Sequence, residues 1–308
     1  MKHLAKPVFA ALLLLTLWPT VTPPLALAAG VLVAWCFGPV FPALAKKGQK
    51  WLLQASVVGL GFGMNLHEAL RSGREGMLMT IVSVAAVMVA GTLLGRWLGV
   101  ERKTSWLVSA GTAICGGSAI AAMGPLVEAE DRQMSVSLGT VFVLNAVALF
   151  VFPPLGRALG LDEVRFGQWA AIAIHDTSSV VGAGAAYGDK ALEVAALVKC
   201  TRALWILPLA FATALVWRKR GGGLAAVPWF IFLFGLAMCA NTYAPLPEGL
   251  ASGIVLVAKR GFAVTLYLIG TTLGPATLRS CGPRPFVQGV LLWLAVGAGS
   301  LAAILAAA

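Results

Sequence analysis

Ile174-His175-Asp176-Thr177-Ser178-Ser179 and Lys199-Cys200-Thr201-Arg202 put four ionisable side chains inside runs otherwise apolar enough to cross a membrane. A charge at the centre of a spanning helix costs roughly 2.5–3.5 kcal/mol on insertion scales, so such residues usually serve a pathway or a site. His175 and Asp176 suit proton exchange, because imidazole titrates near neutrality and a neighbouring carboxylate can pass the proton on. On a continuous helix His175, Ser178 and Ser179 would share one face. Lys199 and Arg202 lie one turn apart, and the local excess of positive charge fits an anionic substrate better than a cationic one. The competing readings are structural. A buried polar pair can fix helix packing, Lys199 can snorkel to the interface, and either cation can pair with Asp176.

A second constellation, Cys115-Gly116-Gly117-Ser118, follows Gly111 in another apolar run. Glycine inside a helix costs up to about 1 kcal/mol relative to alanine, and a Gly-Gly pair eases unwinding. A helix broken at mid-membrane exposes backbone N–H groups that can hold an anion where they line a cavity. The alternative is close helix packing through small residues. Asn145, Asn65 and Glu128 are secondary candidates, although Glu128 sits in a charged turn with Glu130 and Asp131.

The elements that must position these residues are membrane helices. Of 308 residues, 59% are apolar and 11% charged, against about 25% charged in a soluble domain. Apolar runs of membrane-crossing length predict about eleven spans, near 7–19, 23–44, 51–69, 76–98, 104–127, 133–156, 166–187, 191–217, 227–244, 257–278 and 285–307. The connections are short, so 1–308 reads as a single integral membrane domain. Alternate connections then carry Lys2, Lys6, Lys46, Lys47, Lys50, Arg96, Arg102, Lys103, Arg157, Arg165, Arg218, Lys219, Arg220, Arg279 and Arg284, fifteen in all. The other side holds six: Arg71, Arg74, Arg132, Lys190, Lys259 and Arg260. The bias predicts a cytoplasmic N-terminus and a C-terminus on the far side, and it accounts for the net charge of +11 without nucleic acid. Lys2, Lys6, an apolar run from Val8 to Trp18 and Ala26-Leu27-Ala28 imitate a signal peptide. Cleavage there would cut the second run too short to span, so an uncleaved first helix is expected.

Other chemistries find no support. The five cysteines (Cys36, Cys115, Cys200, Cys239, Cys281) show neither CxxC spacing nor clustering with histidine. Gly221-Gly222-Gly223 lacks the Lys-Ser/Thr of a P-loop. The expectation is therefore no enzyme, no cofactor and no resident metal.

Two self-similarities bear on architecture. Gln54–Ser72 parallels Phe262–Ser280; each follows a lysine (Lys50, Lys259), each ends in Leu-Arg-Ser, and the two run in opposite directions across the membrane. Inverted repeats of this kind mark secondary transporters. Ile114-Cys-Gly-Gly-Ser118 parallels Ile174-His-Asp-Thr-Ser178, each preceding an Asp-basic turn (Asp131-Arg132, Asp189-Lys190). By span count that second pair is parallel, and an inverted relation would need a re-entrant segment. The fold class expected is an all-α polytopic membrane protein with inverted repeats and discontinuous helices.

At these motifs the chain resembles the YeiH-type family of bacterial inner-membrane proteins described as sulfate exporters. Ile114-Cys-Gly-Gly-Ser-Ala-Ile120, Ile174-His-Asp-Thr177 with Val180-Val181-Gly182-Ala183-Gly184, Val198-Lys199 with Thr201-Arg202, and Gly282-Pro283-Arg284-Pro285-Phe286 carry the likeness. Ser178-Ser179 departs from it, standing where Ala-Gln would be expected. The resemblance implies a carrier related to the bile acid/sodium symporter and sodium/proton antiporter superfamily, moving sulfate-like anions across the inner membrane. The expected function is a secondary transporter of a small anion by alternating access. Cys115, Gly116, Gly117, Ser118, His175, Asp176, Thr177, Ser178, Lys199 and Arg202 would line the substrate site, with His175 and Asp176 coupling a proton or sodium ion. The alternatives are a cation/proton antiporter centred on Asp176 and a non-transporting scaffold or sensor. Expected partners are the lipid bilayer, the anion, the coupling ion and, as an open option, a second copy in a homodimer.

Overall fold

The computed structural model describes residues 2–18, 20–217, 229–244, 246–275 and 282–306. Within them the regular structure is helical: α1 (Lys2–Leu15), α2 (Pro23–Phe37), α3 (Pro42–Gly61), α4 (Leu66–Trp97), α5 (Arg102–Ala113), α6 (Gly117–Met123), α7 (Asp131–Ala158), α8 (Glu163–Ala173), α9 (Thr177–Tyr187), α10 (Asp189–Ala203), α11 (Ile206–Val216), α12 (Trp229–Tyr243), α13 (Glu248–Gly270) and α14 (Pro283–Ala306). Five stretches are long and apolar enough to cross a membrane: Thr80–Trp97, Arg132–Ala158, Asp189–Val216 through α10 and α11, Gly249–Gly270 and Pro283–Ala306. Leu4–Leu15, Pro24–Phe37 and Phe232–Tyr243 are shorter apolar helices. Leu93, Trp97, Phe150, Phe211, Leu236, Val257 and Leu294 stand exposed on these helices, as a lipid-facing surface requires.

The segments expected at 104–127 and 166–187 are broken, and each folds back on itself. The Tyr187 ring stacks on Phe166 at 3.7 Å, and Glu163 at the start of α8 accepts the Lys190 N–H at the start of α10 at 2.7 Å. A straight helix would hold Glu163 and Tyr187 about 36 Å apart. So α8 and α9 form a hairpin with its tip at Ile174-His175-Asp176. Likewise Lys103 near the start of α5 donates to the Glu128 carbonyl at 2.7 Å, and Glu101 takes a hydrogen bond from Gln133 at the start of α7. So α5 and α6 form a second hairpin with its tip at Ile114-Cys115-Gly116.

Helix α7 relates the two. Its 28 residues span about 42 Å. The open end of the α5–α6 hairpin lies beside its N-terminus, while Arg157, near its C-terminus, donates to the Ala186 carbonyl at 2.6 Å beside the open end of α8–α9. The hairpins therefore enter from opposite ends of α7, and the second self-similar pair is inverted rather than parallel. Helix α10, reached through the single residue Gly188, packs along both α8 and α9 and continues as α11 after a turn at Leu204 and Trp205.

A second group of helices flanks the hairpins. Helix α13 packs on α2 and α3, α12 on α3, and α1 on α2. Ideal Cβ positions at Gly48, Gly59, Gly63 and Gly261 meet Leu268, Ala258, Val255 and Ser56 respectively, which makes α3 and α13 antiparallel, as their opposed repeats predict. The end of the second copy, residues 276–280, lies outside the described residues, as do the 218–220 connection, the Gly221–Gly223 run and Cys281.

Candidate functional site

The tips form because their local chemistry ends one helix and starts another. Gly116 has φ +63° and ψ −119°, a conformation other residues rarely adopt, and it is the N-cap of α6. Asp176 is the N-cap of α9: its Oδ2 accepts the Ser178 N–H at 3.0 Å, satisfying an orphan amide, and accepts the Ser178 hydroxyl as well. The tips touch. A Cβ on Gly116 would lie 3.4 Å from the Asp176 Cβ and 3.1 Å from Val141 of α7. One helical turn along α7 from Val141, Asn145 Oδ1 accepts the His175 N–H at 3.1 Å and the Asp176 N–H at 3.2 Å. A single amide oxygen thus holds two of the backbone donors that unwinding frees.

The two buried cations of α10 serve the outgoing half-helices. Lys199 Nζ donates to the Ile174 carbonyl at 2.7 Å and the Ala171 carbonyl at 3.2 Å, at the C-terminus of α8. Arg202 donates to the Ala113 carbonyl at 2.6 Å, at the C-terminus of α5, and to Ser83 Oγ of α4 at 2.8 Å. Both side chains are 0% exposed. Helix C-termini carry unsatisfied carbonyls and about half a negative charge each, so each cation meets a complementary dipole end. Neither has a carboxylate within 4 Å among the described residues, so pairing with Asp176 does not occur. Neither snorkels.

Asp176 is only half-buried and lines a narrow cavity of ≈ 10 Å³ where α7 and α9 face α2 and α13. Its walls are Leu27, Phe142, Ala146, Ile269 and Leu273, with Asn145, Asp176 and Ser179 as the polar members. Asn145 Nδ2 is buried without a partner. The site lies between the hairpin group and the flanking group of helices.

Of the residues singled out from sequence, the fold gathers Gly116, Asp176, Thr177, Ser178 and His175 at the meeting tips. Cys115 is buried beneath its tip, Gly117 and Ser118 begin α6 with Ser118 exposed, and Lys199 and Arg202 stand behind the tips. His175 shares no helical face with Ser178 and Ser179, because it lies in the break before α9 starts. Its imidazole is 1% exposed, with neither ring nitrogen partnered. An imidazolium there would be a buried unpaired charge. Gly111 is a packing glycine, its Cβ position 2.9 Å from Ile120. Asn65 caps α4 by accepting the His67 N–H, and Glu128 lies in the hairpin's open end, so neither joins the site. Ser179 and Ser83 carry weak sequence signals. Asn145, a secondary candidate, proves central; it is the sole amide side chain between Gln133 and Gln168.

This architecture defines a multi-pass helical membrane protein built around two inverted re-entrant hairpins. Residues 3–289 match the family model described as "Conserved hypothetical protein 698". A "UPF0324 membrane protein" of Bacteroides thetaiotaomicron is 54% identical over 287 residues, covering 92% of this chain and 86% of that protein. Its namesake in Porphyromonas gingivalis is 52% identical over 92% of this chain and 87% of its own length. A further UPF0324 membrane protein, from Bdellovibrio bacteriovorus, is 44% identical over 98% and 94%. The chain belongs to this UPF0324 family of membrane proteins. No solved structure matches it.

Proposed function

We propose that this chain is a secondary transporter that exports or exchanges a small anion, with a sulfate-like oxyanion the first candidate, by alternating access. The observation that carries the reading is the contact of two oppositely inserted hairpin tips, Gly116 against Asp176, at the boundary between two helix groups. Rocking one group against the other would open that point to either side in turn, the arrangement expected of inverted-repeat carriers. The charge balance favours an anion. Two cations, one carboxylate, two helix C-termini and the α9 N-terminus leave about half a positive charge at the tips before the short α6 is added. Arg202 Nε remains without a partner.

The chain is placed in a bacterial inner membrane. With both hairpins re-entrant, Arg132 moves to the cytoplasmic side and Arg157 and Arg165 to the periplasmic side, leaving fourteen basic residues against seven. The N-terminus stays cytoplasmic and the C-terminus periplasmic.

A second reading, a cation/proton antiporter centred on Asp176, is favoured by one fact: Lys199 and Arg202 already hold carbonyls, whereas Asp176 faces the cavity. Flux in proteoliposomes loaded with sulfate, sulfite, thiosulfate or small carboxylates separates the readings. Anion-dependent flux supports the first, and cation flux indifferent to anions supports the second. A scaffold or sensor moves nothing under any gradient, and that result would sink both.

A further inference from the structure

The cavity at the α9 tip holds three polar groups with unspent hydrogen-bonding capacity. Asn145 is 3% exposed and its Nδ2 has no partner, because its Oδ1 is committed to the His175 and Asp176 amides. Asp176 uses Oδ2 on Ser178 and, among the described residues, makes no hydrogen bond through its other oxygen. Ser179, 4% exposed, lines the same space with a hydroxyl that makes no hydrogen bond among the described residues. One donor, one acceptor and one group that can be either converge on ≈ 10 Å³, the room that one water needs with two to four polar partners.

From this geometry we infer that Asn145, Asp176 and Ser179 form a one-water proton-binding site, and that the coupling ion of the transporter proposed above is the proton rather than sodium. Hydronium reaching the cavity transfers a proton to the free Asp176 oxygen and leaves neutral water, held by the Asn145 N–H and the Ser179 hydroxyl. A hard cation such as sodium needs a shell of oxygens. Of the side chains that line the cavity, only Asp176 and Ser179 offer an uncommitted oxygen, while the Asn145 N–H would point its positive end at the ion. The remaining walls, Leu27 of α2, Phe142 and Ala146 of α7, Ile269 of α13 and Leu273 just beyond it, bring no charge. The other titratable groups within electrostatic reach of Asp176 are Lys199 on α10 and Cys115 at the facing tip, with His175 adjacent in sequence. Lys199 is bound to carbonyls, and Cys115 is sealed in the core, so Asp176 alone meets the cavity. Placement at the boundary of two helix groups lets protonation bias their motion, because it removes a charge from the sliding surface.

The inference rests on the transporter reading only for the word coupling, and the test separates the two. Purified full-length protein is acidified in unbuffered detergent solution, and proton uptake and the carboxylic acid infrared band are recorded. Wild type should take up about one proton per chain more than Asp176→Asn, an isostere that keeps the Ser178 amide capped. Ser179→Ala should shift the Asp176 band, because the water loses a partner. Sodium in place of choline at constant ionic strength should change neither. A sodium-specific response that Asp176→Asn removes, equal uptake in wild type and Asp176→Asn, or a band indifferent to Ser179→Ala would each overturn the site. In proteoliposomes, anion flux should follow an imposed pH gradient. Flux indifferent to pH overturns the coupling, whereas no flux under any gradient with uptake intact sinks the transporter reading and leaves the proton site standing.

Discussion

At the residue scale, Lys199 and Arg202 show how a membrane interior accommodates full charges without a counter-ion. Each replaces water at the frayed end of a half-helix, so its desolvation is offset by carbonyls that would otherwise be orphaned. Hydrogen bonds to charged groups contribute about 1.5–3 kcal/mol each, so Arg202→Gln should lower stability in denaturant or thermal unfolding by roughly that much. Arg202→Lys should recover only part, because one ammonium cannot reach Ser83 and Ala113 with a planar fork. The absence of an ion pair sets a sharper expectation. In a double-mutant cycle, Asp176→Asn and Arg202→Gln should couple by under about 0.5 kcal/mol, and a larger rescue in the double mutant would restore the ion-pair reading. Adjacent glycines should behave differently. Gly116→Ala meets a disfavoured φ and a Cβ 3.1 Å from Val141, so it should cost on the order of 1–3 kcal/mol. Gly117→Ala meets nothing closer than 3.5 Å and should fall within about half a kcal/mol of wild type. Thermal unfolding of the pair reads the contrast directly.

At the element scale, the breaks were legible in the residues and the hairpins were not. Gly116-Gly117 and the Asp-Thr-Ser-Ser run advertise an unwound segment and a helix N-cap, and the interruptions fall at Ile114–Gly116 and Ile174–Asp176. Hydropathy cannot distinguish one broken helix of twenty-odd residues from two half-helices that return to the same side, because length and composition are equal in both. The hairpins are set instead by contacts distant in sequence, such as Tyr187 on Phe166 and Lys103 on Glu128. Asn145 is inconspicuous in the sequence for a similar reason: one amide in an apolar run announces a buried partner but not which backbone it holds. The hairpins change the predicted topology in a measurable way. Eleven spans would put the connections at 128–131 and 188–190 on the same side, whereas two re-entrant hairpins put them on opposite sides and bring 159–162 to the side of 188–190. Single-cysteine variants at Ala129, Leu159 and Lys190, probed with a membrane-impermeant thiol reagent, should label Leu159 and Lys190 from one side and Ala129 from the other. Common labelling of Ala129 and Lys190 would return the hairpins to spans.

At the scale of the whole molecule, the polar site is confined to the seam between two helix groups, and the seam differs in character from either interior. Within the flanking group, α2 and α13 approach at backbone distance: a Cβ on Gly30 would lie 2.2 Å from the Tyr267 carbonyl, and one on Gly270 would lie 2.4 Å from the Leu27 carbonyl. Within the hairpin group, Gln288 of α14 bridges Gly91 of α4 and Ser105 and Ser109 of α5 with hydrogen bonds of 2.9–3.3 Å. Both bodies are thus locked internally. Between them, α9 meets α2 and α13 through the apolar walls of the cavity, and Val181, Leu192 and Ala196 of α9 and α10 share an apolar cluster with Val57, Phe234 and Phe262 of α3, α12 and α13. Among the described residues the directional contacts across the seam are few: Lys259 of α13 with Asp189 of α10 at 2.5 Å, and the Leu66 N–H of α4 donating to Thr242 Oγ1 of α12 at 2.9 Å. Mainly apolar surfaces with few directional bonds slide more readily than interlocked backbones, so relative motion belongs at this seam. Joining Leu27→Cys on α2 to Ala146→Cys on α7 with a short thiol cross-linker should therefore abolish flux while leaving thermal stability equal to or above that of the uncross-linked pair. Cleaving a reducible cross-linker should restore the flux. The same chemistry applied inside one body, between Gly91→Cys and neighbouring positions, would be confounded by the clash with Ser109, 2.0 Å from a Cβ at Gly91, so the control should be single-cysteine protein treated identically. Full flux in the cross-linked double mutant would mean that the two groups do not move apart at the cavity, and alternating access would then have to be sought at the hairpin tips alone.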